Sequence, residues 1–96
     1  MNSYQINSFA VIGAGNMGSG IAQKIATEGY PVILVDLTQE QVDRGMGIIR
    51  EMLDQGVARK IFRPEQAEAI LSRIQATTHW EDLAEVDCVV EAVFEN

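Results

Sequence analysis

Several residue types are scarce in this sequence, and each scarcity excludes a class of protein. Cys88 is the single cysteine, so no disulfide can form within the chain. We therefore expect a reducing compartment, the cytoplasm or an organelle matrix, rather than secretion. Lys and Arg number 7 against 14 Asp and Glu, which gives a formal net charge of −7. Because nucleic-acid binding needs clustered cations, we expect no nucleic-acid partner.

The sequence also has no long apolar run and no histidine with a candidate catalytic partner beside it. No apolar run approaches the roughly 20 residues that a membrane-spanning helix needs, so we expect no membrane association. The N-terminus has neither a basic segment nor an apolar core, so we expect no signal peptide. His79 is the only histidine and has no candidate partner beside it in the sequence, which predicts neither a catalytic nor a metal-binding role. The 96 residues are enough for one small domain.

Short continuous apolar runs predict buried parallel strands. Three of them are Phe9–Ile12, Pro31–Val35 and Asp87–Val93, and Gln75–Thr78 is a further short segment with β preference. Helical patterns separate these runs, and strands that alternate with helices pair in parallel through right-handed crossovers. The sequence therefore predicts an α/β fold. Because the last run should lie at or near the centre of such a sheet, we expect the chain to be the N-terminal piece of something longer.

The first two helices have recognisable beginnings and ends. The first has an apolar face that includes Met17, and Gly29 is its expected C-terminal cap. The second begins with a capping box, in which Thr38 precedes Gln41 by three residues, and Gly56 is its expected stop.

Two glycines lie inside the second helix, and a third helix follows it. Gly45 and Gly47 are expected to weaken the second helix by about 1 kcal/mol each relative to alanine where they are exposed. Pro64 suits the first position of the third helix, whose apolar seam extends to Ile74. A helical turn is expected at 80–85.

Three glycines follow the first strand at positions i, i+2 and i+5, and each has its own physical reason. Gly13 permits a tight turn out of the strand. Gly15 has no Cβ, so a pyrophosphate can approach the backbone, and Gly18 lets the helix lie close to the strand. The backbone N–H groups at the helix start, together with the helix dipole, then receive the phosphates.

Asp36 decides between two interpretations of this loop. It ends the second strand, where a carboxylate can accept hydrogen bonds from the adenosine ribose hydroxyls and repel a 2′-phosphate. The strand, the loop, the helix and the acid together predict a site for NAD rather than NADP. The alternative is a plain strand-to-helix turn with an unrelated surface acid.

The segments GAGNMGSGIAQKIATEGYPVILVDLT and DCVVEAVFEN, with a long helical hairpin between them, resemble the N-terminal NAD-binding domain of 3-hydroxyacyl-CoA dehydrogenases. The resemblance implies a Rossmann-like doubly wound parallel sheet. Residues 1–96 would be its N-terminal portion, with about four parallel strands and the hairpin inserted after the second. It also implies hydride transfer between 3-hydroxyacyl-CoA and NAD, as in fatty-acid β-oxidation, by a protein that is a homodimer at full length.

The same resemblance assigns site residues. Arg59, followed by Lys60, would meet the phosphates of the acyl-CoA substrate. The family's catalytic histidine and glutamate would lie beyond residue 96, so no catalytic residue is expected in this chain. The implied cofactor contacts are Gly13, Ala14, Gly15, Asn16, Met17, Gly18, Asp36, Leu37, Ala92, Val93 and Glu95.

Two other functions remain open at this point. Dehydrogenases of the hydroxyisobutyrate type and reductases of the pyrroline-carboxylate type also have G-x-G-N-M-G loops, although they generally lack a hairpin of this kind. A non-catalytic binding or assembly module, pairing strands with a partner at an open sheet edge, is the third possibility.

Overall fold

The computed structural model describes residues 6–92, and the bounds of its elements follow the predicted alternation of strands and helices. In chain order they are β1 (Phe9–Ile12), α1 (Asn16–Thr27), β2 (Val32–Val35), α2 (Gln39–Ala58), α3 (Pro64–Ser72), β3 (Ile74–Thr77), a 3-10 helix (Trp80–Leu83) and β4 (Cys88–Glu91).

The four strands form one parallel sheet in the order β3-β2-β1-β4. Val11 of β1 lies opposite Leu34 of β2 on one side and Val90 of β4 on the other. The predicted Rossmann-like α/β fold is confirmed, including the helical hairpin, α2 and α3, between the second and third strands. The carboxyl ends of β1 and β2 are neighbours, so the loops that follow them meet at one edge of the sheet.

The core lies between the sheet and the three helices, which contact one another. Val11, Leu34 and Ile49 have no solvent exposure. On α1, Ala22 and Ala26 are equally buried, as their helical spacing predicts, and their small side chains allow the helix to lie close to the sheet. Among residues 6–92, no helix is both long and apolar enough to cross a membrane.

Three predictions about which residues are helical or buried are wrong. Ile74 is not the last position of the α3 seam but the first residue of β3, because pairing with Val32 of β2 outweighs its helical spacing. Met17 does not belong to the buried face of α1 and is 52% exposed, since the buried stripe runs one position later, through Gly18. In β4, Val89 is 49% exposed, so this strand is only partly buried.

The two Schellman motifs that end α1 and α2 differ in the residue at the left-handed position. Gly29 ends α1 as predicted, with φ 103°. α2 passes through its predicted stop, Gly56, and the left-handed residue is Lys60, with φ 63°. The N–H groups of Lys60 and Ile61 donate to the carbonyls of Val57 and Gly56 at 3.0 and 2.8 Å.

The ring of Phe62 packs against Gly56, and this contact explains why a glycine lies inside α2. A Cβ at position 56 would lie 2.5 Å from Cδ2 of that ring. Gly56 therefore marks a close contact rather than the end of the helix.

Candidate functional site

The loop after β1 is a tight turn held on both sides. Gly13 adopts φ 106°, which favours glycine, and its N–H donates to the carbonyl of Val35 at 2.8 Å. Gly18, in the first turn of α1, is pressed against the same loop: a Cβ there would lie 1.6 Å from the Gly13 carbonyl oxygen. Both glycines are thus required by backbone geometry.

Gly15 serves a different purpose, because the space beside it is open. It is the N-cap of α1 with φ −76°, a value that any residue adopts, and a Cβ there would meet no protein atom within 4 Å. The start of α1 has no side-chain cap and no acidic residue in its first turn. The N–H groups of a first helical turn have no partners inside the helix and carry the positive end of its dipole. This cradle, which a Cβ would fill, fits a pyrophosphate.

The Asp36 carboxylate is held by two backbone groups. Its Oδ2 accepts from the N–H of Ala14 at 2.8 Å, and its Oδ1 accepts from the N–H of Leu37 at 2.7 Å. An ionised carboxylate has about four acceptor positions, so each oxygen keeps one for a further donor. The half-buried group is therefore oriented, with one acceptor position left on each oxygen, which suits two vicinal hydroxyls.

A recess of about 100 Å³ lies where the glycine loop, the end of β2 and the first turns of α2 meet, and we call it the loop recess. Its walls include two side chains, Gln41 and Arg44, to which the sequence alone assigned no role in a site. They occupy positions i and i+3 of α2, and the helix start defined by the capping box was the signal that could have identified them. The lining residues are Ala14, Gly15, Asp36, Gln41 and Arg44.

The remaining predicted cofactor residues are distributed around this loop. Asn16, Met17 and Leu37 are exposed, and the apolar side chain of Leu37 is 73% exposed beside Asp36. Ala92 is buried, its N–H donates to the Ile12 carbonyl at 2.8 Å, and its Cβ would lie 3.5 Å from a Cβ at position 18.

Two predicted contacts, Val93 and Glu95, lie outside the described residues. The part of the chain that the structure describes contains no group of three or more His, Cys, Asp or Glu side chains that could hold a metal ion.

The predicted substrate residues belong to a different part of the molecule. Arg59 and Lys60 are exposed at the turn between α2 and α3, and neither lines the loop recess. Lys60 and Arg63 instead border a separate depression of about 340 Å³. The structure therefore brings most of the predicted cofactor residues together and keeps the predicted substrate residues apart from them.

Comparison with known proteins supplies the deciding observation. The sequence profile of the family described as "3-hydroxyacyl-CoA dehydrogenase, NAD binding domain" matches residues 8–96. The chain belongs to this family. The match spans the glycine loop, Asp36, the helical hairpin and β4, so the family resemblance seen in the sequence is confirmed.

Individual relatives agree with this assignment. The fatty acid oxidation complex subunit alpha of Psychrobacter sp. (strain PRwf-1) is 46% identical over 95 residues, which are 99% of this chain and 13% of that protein. The crystal structure of 3-hydroxybutyryl-CoA dehydrogenase from Escherichia coli K12 matches with a TM-score of 0.91 and 35% identity, over 97% of this chain and 20% of that one.

A second solved structure is equally similar. The (S)-3-hydroxybutyryl-CoA dehydrogenase from Ralstonia eutropha has a TM-score of 0.92 and 34% identity, over 96% of this chain and 32% of that one. The chain thus spans only a small part of the relatives it matches.

Proposed function

We propose that this chain is the N-terminal portion of the NAD-binding domain of a 3-hydroxyacyl-CoA dehydrogenase of the fatty-acid oxidation type. The full-length protein would transfer hydride between C3 of a 3-hydroxyacyl-CoA and the nicotinamide. The observation that carries the proposal is the tethered Asp36 carboxylate beside the open start of α1, in a chain of this family.

The chain's own contribution is to bind and orient the cofactor. The pyrophosphate would lie on the N–H groups at the start of α1, over Gly15, where no side chain intervenes. The vicinal ribose hydroxyls would donate to the two Asp36 oxygens, and Leu37 would supply an apolar surface for the adenine. NAD itself supplies the hydride acceptor, and the catalytic acid–base groups would come from the remainder of the longer protein.

Two opposite charges at the loop recess bear on the choice between NAD and NADP. A carboxylate at the end of β2 repels a 2′-phosphate, whereas a nearby arginine can accommodate one. Asp36 is half-buried and held by two backbone N–H groups, while Arg44 is exposed on a long flexible side chain. The repulsion of a 2′-phosphate by the fixed Asp36 carboxylate therefore outweighs its attraction to Arg44, and NAD is the expected cofactor.

The nicotinamide half would lie near the end of β4. Ala92 is buried beside Gly18 at the carboxyl edge of the sheet, where doubly wound folds bind their ligands. We assign Ala92, and with it Val93 and Glu95 from the family resemblance, to this half of the cofactor.

The substrate's CoA phosphates are assigned to the turn between α2 and α3. In a chain of net charge −7, this turn carries Arg59, Lys60 and Arg63 within five residues. Lys60 adopts a left-handed conformation that costs a non-glycine residue about 1–2 kcal/mol. A lysine at a position that favours glycine suggests a functional role for its ammonium group, and the role we assign to it is binding an anionic ligand.

Replacing Lys60 by glycine is expected to separate stability from substrate binding. The free energy of unfolding should rise by about 0.5–1 kcal/mol, because glycine adopts φ 63° without the Cβ penalty. Acyl-CoA affinity of the full-length protein should fall, because one phosphate contact is lost. Thermal unfolding and acyl-CoA titration measure the two effects. A Lys24→Gln variant removes one positive charge elsewhere, and an equal loss of affinity there would contradict the assignment.

We further propose that the full-length protein is a homodimer located in the cytoplasm or an organelle matrix. These 96 residues contain one cysteine, and a low cysteine content is typical of proteins in a reducing compartment. Size measurement of the full-length protein in solution tests the dimer.

Replacing Gly15 by valine tests the cofactor assignment most directly. A Cβ at position 15 meets no protein atom within 4 Å, so the variant should fold, and its free energy of unfolding should fall only by about 1 kcal/mol, the cost of replacing glycine at a helix N-cap. NADH binding should be abolished, because the side chain fills the pyrophosphate position. Calorimetric titration of the wild-type full-length protein should also show that NADH binds at least about tenfold more tightly than NADPH. Equal affinities for the two cofactors, or a Gly15→Val variant that binds NADH normally, would refute the proposal.

A further inference from the structure

Gly45 of α2 lies directly against the glycine loop, although its place in the sequence suggested only a weak point in a helix. It is buried, and a Cβ at this position would lie 2.8 Å from both the Cβ and the carbonyl oxygen of Ala14. The same Cβ would lie 3.0 Å from the Oγ of Ser19. The two distances to Ala14 are shorter than real Cβ contacts and the distance to Ser19 is shorter than most, so α2 approaches the loop this closely only because residue 45 has no side chain.

The hydroxyl of Ser19 is the second part of this contact. Ser19 has no solvent exposure, and its Oγ donates a hydrogen bond to the Ala14 carbonyl at 3.2 Å. The N–H of Ala14 donates to Asp36 at 2.8 Å on the other side of the residue. Ala14 is therefore held at its N–H by Asp36, at its carbonyl by Ser19 and at its Cβ by the backbone of α2.

We propose that Gly45 is a positioning residue for the cofactor site, through which α2 holds Ala14 and, through Ala14, the Asp36 carboxylate. This inference rests on the proposed NAD-binding function. An added methyl group would push α2 and the loop apart by several tenths of an ångström. The bond between Ala14 and Asp36 would lengthen, and the carboxylate would lose the orientation that suits two vicinal hydroxyls.

Gly47 provides the internal comparison, because it lies in the same helix two residues later. It is exposed, and a Cβ there would meet nothing within 4 Å. Both glycines carry the same intrinsic cost in a helix. Only the one at position 45 faces the loop, so the position of the contact, rather than the flexibility of glycine, distinguishes the two.

The experiment compares Gly45→Ala with Gly47→Ala in titrations with NADH, NADPH and ADP-ribose, below the melting temperature of each variant. For Gly45→Ala we expect binding of NADH and ADP-ribose to weaken about tenfold, the equivalent of roughly one hydrogen bond. The preference for NADH over NADPH should narrow, because Asp36 is no longer oriented. Gly47→Ala should match the wild type in all three affinities.

A second variant, Ser19→Ala, removes the buried hydroxyl without adding volume. If Gly45→Ala does not fold, this variant tests whether the position of Ala14 controls cofactor binding. We expect a smaller effect in the same direction, about threefold for NADH. Wild-type affinities and an unchanged NADH-to-NADPH preference in the folded variants would overturn the inference while leaving the cofactor site intact, and would reduce Gly45 to a packing residue. Absence of NADH binding by the wild-type full-length protein would instead overturn the proposed function and this inference with it.

Discussion

A Gly18→Ala variant is expected to lose both its cofactor binding and much of its stability. The new Cβ would lie 1.6 Å from the Gly13 carbonyl oxygen and 2.8 Å from its carbonyl carbon, and both are backbone atoms that cannot rotate away. Either α1 or the loop must move, so we expect the free energy of unfolding to fall by about 3 kcal/mol or more. The total free energy of unfolding of a small domain is only about 5–15 kcal/mol. Thermal unfolding and NADH titration measure the two losses.

Gly20→Ala is the matched control for this variant. Gly20 lies in the same helix, two residues later, and a Cβ there would meet nothing within 4 Å. Its replacement should stabilise the chain by about 0.5–1 kcal/mol, because alanine loses less conformational freedom in a helix. If Gly18→Ala has the same free energy of unfolding and the same affinity for NADH as the wild type, the close approach of α1 to the loop is not required.

An Asp36→Asn variant should bind NADH roughly 10- to 100-fold more weakly, with a smaller effect on NADPH. Two causes act together. The neutral amide loses the charge-assisted bonds that we propose the carboxylate accepts from the ribose hydroxyls. One of the carboxylate oxygens that accept from Ala14 and Leu37 also becomes an NH₂ group, which faces an N–H donor and disturbs the loop. Titration with both cofactors, together with a melting curve, separates binding from folding.

Asp43→Asn makes the same chemical change on the exposed surface of α2. Asp43 Oδ1 accepts from the Gln39 side chain at 2.8 Å, a bond that an asparagine oxygen can keep, and Asp43 does not line the loop recess. This control should leave the affinity for NADH unchanged. An equal loss in the two variants would mean that net charge, rather than the placed carboxylate, governs binding.

Local patterns were sufficient for the order of elements and for the backbone geometry of the glycine loop after β1. Continuous apolar runs and helical seams depend on neighbouring residues, so they identify strands and helices without knowledge of the fold. Gly13 and Gly29 were identified correctly because a left-handed backbone is a local requirement. Asp36 could be placed beside the loop because strands β1 and β2 are parallel neighbours, which a strand–helix–strand order implies.

Contacts between segments far apart in the sequence decided the rest. Met17 is exposed and Ile74 belongs to a strand because the sheet, and not the helical period alone, determines which faces are covered.

The internal glycines show the same limit. From the sequence alone, Gly45 and Gly47 could not be distinguished and Gly56 was expected to end the helix, yet Gly45 faces Ala14, Gly47 faces solvent and Gly56 faces the Phe62 ring. A glycine has no side chain whose chemistry could indicate its neighbour. Only the folded structure shows at which of these positions a Cβ would clash. Lys60 was missed for a related reason: the sequence predicted a stop at Gly56, whereas that glycine makes room for the Phe62 ring, α2 continues to Ala58, and Lys60 takes the left-handed position after it.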